Sequence, residues 1–269
     1  MQNANHSYLI RIQYLGFRYS GWQIQPGQRT VEGMVSKTLK FVLPGEAFKI
    51  LGAGRTDAKV SALDMTFELF LYTALEDTES FLAFLNKNLP PDIRVMSIDP
   101  ISRKFNIIKD VKTKEYVYLF SFGKKNHPFC APFLANIYAD LDISVMKEAA
   151  RLFEGVHNFS AYTVKESRKI ETTRTITSCK IRRNTLLKAN FFPKRSYALY
   201  VEGVGFMRYQ VRMMMGALIQ LGRGELTVSD IEVSLQENNT VLLTYIAPGS
   251  GLLINRSEFD LSMESLSKK

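Results

Sequence analysis

The order of apolar patterns along the chain predicts an α+β fold made of two ferredoxin-like (RRM-like) halves. Three observations carry that expectation. Over residues 8–98 the hydrophobic repeat switches between strand and helix spacing in the order β-α-β-β-α-β. A longer version of the same order follows residue 112. No low-complexity linker divides the halves, residues 1–108 and 109–269, so they are expected to form one extended mixed or antiparallel sheet, with helices on one face and a central active-site cleft.

Tyr8–Tyr14 opens the first half as a strand, with Ile10, Ile12 and Tyr14 on one face and Arg11 and Gln13 on the other. Gly16–Gln28 is a loop holding the only tryptophan, Trp22. Thr30 is placed to cap a helix whose apolar face is Val31, Met34, Val35 and Leu39. Phe48–Ala53 is the second strand. Met65–Tyr72 is the third, alternating Met65, Phe67, Leu69 and Leu71 against Thr66 and Glu68. A helix around Glu79–Lys87 stops at Leu89-Pro90-Pro91, because the residue before a proline avoids the helical region. Ile93–Ile98 completes the half.

The second half reads as an aromatic-rich strand over Lys112–Phe122, a helix over Val145–Phe153, and two strands, Thr173–Arg182 and Ser196–Gly203. A long helix, Arg208–Leu221, carries Val211, Met214, Met215, Leu218 and Leu221 along one side. Thr227–Leu235 is a further helix and Leu252–Ile254 a short closing strand.

The formal charge of +9 favours a polyanionic partner, with nucleic acid ahead of an anionic membrane surface. No apolar run approaches the ~20 residues of a membrane helix, and the first residues lack the pattern of a secretory signal. Cys130 and Cys179 are too few for a disulfide framework, and His6, His127 and His157 have no ligand spacing. A cytoplasmic protein without a metal site is expected. The chain has no Walker loop, dinucleotide fingerprint or His-Glu zinc pattern, which speaks against those enzyme classes. Gly203-Val-Gly205 lacks a third glycine and reads as a turn or bulge.

Chemistry is best looked for at Gly52-Ala-Gly-Arg-Thr-Asp-Ala-Lys-Val-Ser-Ala-Leu63. An acid, Asp57, stands beside a cation, Arg55, and a hydroxyl, Thr56, in a glycine-bearing loop between strands. Arg212 lies inside an apolar helix. Either it meets an anion and holds that carboxylate ionised, or its stem covers apolar surface. Tyr116 and Tyr118 share a strand face, as core aromatics or as a ring for stacking on a base. Basic residues recur in aromatic company through the second half, among them Lys124 with Lys125, Lys165 with Arg168 and Lys169, Arg182 with Arg183, and Lys194 with Arg195. That repetition suits a phosphate backbone.

In order along nearly the whole chain, these segments resemble the tRNA pseudouridine synthase A family. The matching stretches are Tyr14-Leu-Gly16, Tyr19-Ser-Gly-Trp-Gln23, Gly54-Arg-Thr-Asp-Ala58, Leu85-Asn86, Tyr116-Val-Tyr118, Gly155-Val-His157-Asn-Phe159, Arg174-Thr-Ile176, Val211-Arg212 and Ala247-Pro248 with Gly251-Leu252. The resemblance implies an isomerase that turns uridine into pseudouridine in the anticodon stem-loop of tRNA, at tRNA positions 38, 39 and 40. By it Asp57 is the catalytic aspartate, Arg212 its ion-pair partner, Arg55 helps extrude the base and Tyr116 lies beside the uracil. It also implies no cofactor, no metal and a homodimer that holds tRNA with both subunits. The chain departs from the family pattern at Leu15, Lys59, Ser61 and Ile108, where an acid, a glycine, a histidine and an arginine are usual. These departures bear on which uridines and tRNAs are modified. They also motivate the alternative of a non-catalytic or altered-specificity tRNA-binding paralogue.

Overall fold

The computed structural model describes residues 5–164 and 171–260. These residues form an α+β fold of ten strands and five α-helices. They fall into two compact units, residues 5–112 with 254–260, and residues 113–253.

The first unit contains β1 (His6–Tyr14), α1 (Val31–Val42), β2 (Phe48–Gly52), β3 (Ser61–Leu71), α2 (Thr78–Asn88) and β4 (Ile93–Ile101), in the predicted order. β1 lies between β4 and β3, with Ile10 opposite both Phe67 and Ile98, and β2 also pairs with β3; every pairing is antiparallel. Thr30 caps α1 by accepting from the Gly33 N–H at 3.2 Å. Asp77 caps α2 by accepting from the Glu79 and Ser80 N–H groups. Helices α1 and α2 touch, and α2 packs on β4.

The alternation on β3 differs from its expected form. Thr66 and Glu68, the polar set, are as buried as the apolar set. The cause is distant in sequence. Residues 102–110 fold over this face, packing Phe105 and Ile107 against Leu9, Ala53 and Ile101. The Ile107 N–H donates to Glu68 Oε2 at 3.3 Å. Burial pushes the Glu68 carboxyl up to about 7, against the opposing pull of that hydrogen bond.

The second unit contains β5 (Val111–Phe122), β6 (Ala135–Ile137), α3 (Ile143–Ala150), β7 (Gly155–Asn158), β8 (Thr173–Arg183), β9 (Tyr197–Gly203), α4 (Gln210–Gly222) and α5 (Val228–Ser234). Its strands run β5-β9-β8-β7, all antiparallel, with β6 parallel to the end of β5. β6 and β7 are too short to show a repeat in sequence. Asp142 caps α3, which therefore starts ahead of Val145, and Arg151–Phe153 continues it as a 3-10 turn. Tyr209 has φ 64, a left-handed conformation, so α4 begins after it and not at Arg208. Helix α4 is buried on all sides, Arg212 and Gln220 alone excepted.

The last strand, β10 (Leu252–Phe259), passes into the first unit at residue 254 and lies beside β3 there. It is longer than the predicted Leu252–Ile254 because Phe259 packs edge-on to Phe105, ring centres 5.7 Å apart. Among the described residues, no helix is long and apolar enough to cross a membrane.

Candidate active site

Residues 53–60 join β2 to β3 and carry Arg55, Thr56 and Asp57. Arg55 is exposed, Asp57 half-buried and Thr56 buried. The loop Gly16–Trp22 wraps this segment and fixes it by several independent contacts. Thr56 Oγ1 shares a hydrogen bond with the Tyr14 hydroxyl at 3.0 Å. The Trp22 N–H donates to the Thr56 carbonyl at 3.2 Å. Gly21, at φ 96, lies so close that a Cβ there would fall 2.3 Å from the same carbonyl oxygen. On the far side of Asp57, Gly16 sits flush against the Val60 carbonyl, where a Cβ would come within 1.8 Å. The motifs around Tyr14, Gly16 and Gly21-Trp22 are thus the frame of the Asp57 loop.

The loop closes by a turn in which the Val60 N–H donates to the Asp57 carbonyl at 3.2 Å. Lys59 occupies the third place of that turn with φ 67. A glycine adopts this conformation without strain, whereas a lysine pays roughly 1–3 kcal/mol for it. The Lys59 N–H is held by the Tyr19 carbonyl at 3.0 Å, and its ammonium lies 5.7 Å from the Phe17 ring centre. Ser61 accepts from the Gly16 N–H at 2.9 Å, so this departure also braces the loop. Ile108 is exposed, on the segment covering Glu68. The Leu15 N–H donates to the Asp92 carbonyl. Asp92 also accepts from the Tyr19 hydroxyl at 2.8 Å, and burial followed by that bond pushes the phenol up to about 12. Tyr19 therefore stays a donor at neutral pH.

The second unit holds Tyr116 and Arg212. Tyr116, on β5, is half-buried and meets Phe206 edge to face, with ring centres 4.9 Å apart. Tyr118 on the same strand face is fully buried, its hydroxyl donating to the Pro248 carbonyl at 2.8 Å, and burial raises its pKa well above the usual phenol value. Of the two tyrosines, Tyr118 takes the core role and Tyr116 keeps exposed ring surface.

Arg212 Nε donates to the Ala247 carbonyl at 2.7 Å, and the Ala247 N–H donates back to the Arg212 carbonyl at 3.1 Å. The Arg212 guanidinium lies 5.2 Å from the centre of the Tyr209 ring, which Arg208 also approaches at 4.8 Å. Tyr209 stands three residues before Arg212, one turn of the predicted helix, whereas nothing in the sequence marks the Ala247 carbonyl as a neighbour. With Nε engaged, a carboxylate partner of Arg212 would be met by the two terminal nitrogens. Arg55 and Asp57 thus share one loop of the first unit, and Tyr116 and Arg212 belong to the second. Cys130 and Cys179 are both buried free thiols. Among the described residues, no group of three or more His, Cys, Asp or Glu could hold a metal ion.

Comparison with known proteins gives this arrangement a class and then a family. Residues 149–260 match a protein family described as tRNA pseudouridine synthase. Over 255 residues the chain is 31% identical to a tRNA pseudouridine synthase A of Thermodesulfovibrio yellowstonii, covering 92% of this chain and 97% of that one. It is 32% identical over 248 residues to a tRNA pseudouridine synthase A of Streptococcus agalactiae, covering 92% and 93%. It is 29% identical over 255 residues to a protein of Bacillus cereus named tRNA pseudouridine synthase A 2, covering 94% and 100%. The chain belongs to the tRNA pseudouridine synthase A family, and is an isomerase.

Proposed function

We propose that the protein converts uridine to pseudouridine in the anticodon stem-loop of tRNA, with Asp57 as the catalytic carboxylate. The observation that carries this reading is the construction of the Asp57 loop. Thr56 and Val60 on either side are locked by Tyr14, Trp22 and Gly16, while Asp57 itself stays half-exposed. A carboxylate held on a fixed backbone and open to solvent is prepared to meet a substrate.

The reaction is an internal rearrangement. The bond from ribose C1′ to uracil N1 breaks, the base turns, and C1′ bonds to C5; the C5 proton is lost and N1 gains one. No electron or group is supplied from outside. Asp57 either attacks the anomeric carbon or takes the 2′ proton, and carboxylates suit such centres. Arg212 is assigned as the cation of the catalytic pair with Asp57. Extruding the uridine costs a few kcal/mol. The exposed guanidinium of Arg55 can fill the vacated place in the stack, and the open surface of the Tyr116 ring can receive the uracil. The protein is proposed to act in the cytoplasm as a homodimer, for which light scattering at micromolar concentration should give twice the chain mass.

The test is to incubate purified protein with tRNA and map pseudouridine by carbodiimide labelling and primer extension. Stops confined to the anticodon arm are expected. Unmodified anticodon arms across all tRNAs would overturn the reading in favour of a binding protein.

A further inference from the structure

We infer that the loop after β5, residues 123–134, and the β8–β9 loop, residues 184–196, together form a second RNA-contact surface. It is an aromatic platform among lysines, taking an unpaired base and neighbouring phosphates of the tRNA at a place other than the target uridine. The inference rests on the tRNA reading above and adds a residue-level contact to it.

The two loops are distant in sequence and joined in space by rings. His127 meets Phe129 with centres 5.0 Å apart, Phe129 meets Phe191 at 5.9 Å, and Phe191 meets Phe192 at 5.5 Å. The Cys130 thiol donates to the Phe191 carbonyl at 3.3 Å. Asparagine side chains shape both loops. Asn184 Oδ1 accepts from the Leu186 and Leu187 N–H groups, and Asn136 accepts from the Asn126 N–H while donating to the Lys124 carbonyl. The surface is therefore preformed. Yet Phe129 is 66% exposed. A core-forming cluster would bury that ring, whereas a base-stacking platform needs it open.

Charge selects the occupant. Lys124, Lys125, Lys188, Lys194 and Arg195 are all exposed, and neither loop contains an Asp or a Glu. The two loops thus contribute five positive charges to a net charge of +9. Asp140 stands beside Gly123 at the root of the first loop. Lysines are depleted at the centres of protein interfaces, while lysines around aromatic rings are what single-stranded RNA engages. A nucleic acid fits better than a second copy of the chain. Distance separates this contact from the target base. From Tyr116 the strand runs about 20 Å, at ~3.3 Å per residue, to Phe122, where the loop that carries Phe129 begins.

The experiment measures binding of fluorescently labelled tRNA by polarisation, for Phe129→Ala, Phe129→Tyr and the double variant Lys124→Ala/Lys125→Ala. All three sites are exposed, and thermal unfolding checks that each variant folds. Phe129→Ala should weaken binding about tenfold and Phe129→Tyr should restore it. The double lysine variant should lower the salt dependence of binding by about 1.5 in the log–log slope. Wild-type affinity and salt slope in Phe129→Ala and the lysine variant would overturn the inference. So would a change of oligomeric state by light scattering with tRNA affinity unchanged, which would make this a protein interface. Binding is read without turnover. Loss of affinity in variants of a protein that makes no pseudouridine would therefore sink the catalytic reading and leave the platform standing.

Discussion

In the first unit Gly16 lies against the Val60 carbonyl, and in the second Gly216 lies against the Tyr245 carbonyl; a Cβ would come within 1.8 Å and 2.0 Å of those oxygens. Both units thus use a glycine to let a second stretch of backbone come into close contact. What holds that backbone next differs. The Asp57 loop is braced by groups outside the chemistry, namely Tyr14, Trp22 and Ser61. Residues 245–248 are braced by Arg212 itself, through Nε to the Ala247 carbonyl, together with the Tyr118 hydroxyl on Pro248. The backbone around Asp57 is held by neighbouring groups, whereas Arg212 holds residues 245–248 with its own side chain.

The glycines give the largest expected effects. Gly16→Ala and Gly216→Ala must each move backbone, since the clashing atom is a carbonyl oxygen, and each should lose on the order of 3–4 kcal/mol in urea unfolding. Tolerance of either variant would break the parallel between the units. The asymmetry is sharpened by the next pair. Arg212→Ala should lose turnover and also about 1–3 kcal/mol of stability, because the Ala247 carbonyl loses a charge-assisted donor. Asp57→Asn should abolish turnover and still fold, since Tyr14, Trp22 and Ser61 hold the loop backbone. An Asp57→Asn variant that does not fold would mean that those three contacts do not hold the loop.

Tyr14→Phe removes the hydroxyl that meets Thr56. It should cost about 1–2 kcal/mol and slow single-turnover pseudouridine formation roughly tenfold with tRNA affinity unchanged. A change in affinity alone would assign Tyr14 to binding. The smallest effect is at Glu68. Its carboxyl titrates at about 7 in the fold against the usual 4.5, so between those values the folded chain holds a proton that the unfolded chain has lost. Stability should therefore fall as pH rises through that window, with the full penalty reached above pH 7. Glu68→Gln should flatten that part of the melting-temperature profile.

The order of elements was legible because each long strand and helix carries its own repeat, and the Asp57 motif because its residues are contiguous. Features made by distant pairings were not. Thr66 and Glu68 read as a polar strand face, and only the packing of Phe105 and Ile107 buries them. Arg212 was legible as a cation in an apolar helix, but its engagement by Ala247 crosses a turn and an irregular segment that carry no periodicity. Likewise the basic clusters are separate in sequence, and the ring contacts between Phe129 and Phe191 make two of them one surface. The left-handed Lys59 is a different case. Its residue type disguises a position that favours glycine; the family resemblance marks a glycine as usual there, and the backbone at φ 67 gives the reason.

The central claim is that the carboxylate at position 57 performs the chemistry, on a loop whose backbone other residues hold. Single-turnover conversion of tRNA by Asp57→Asn, measured beside its tRNA affinity and its unfolding curve, tests this directly. The account predicts no detectable pseudouridine, near-native affinity and a cooperative unfolding transition. Turnover within tenfold of wild type in a folded, tRNA-bound variant would contradict it.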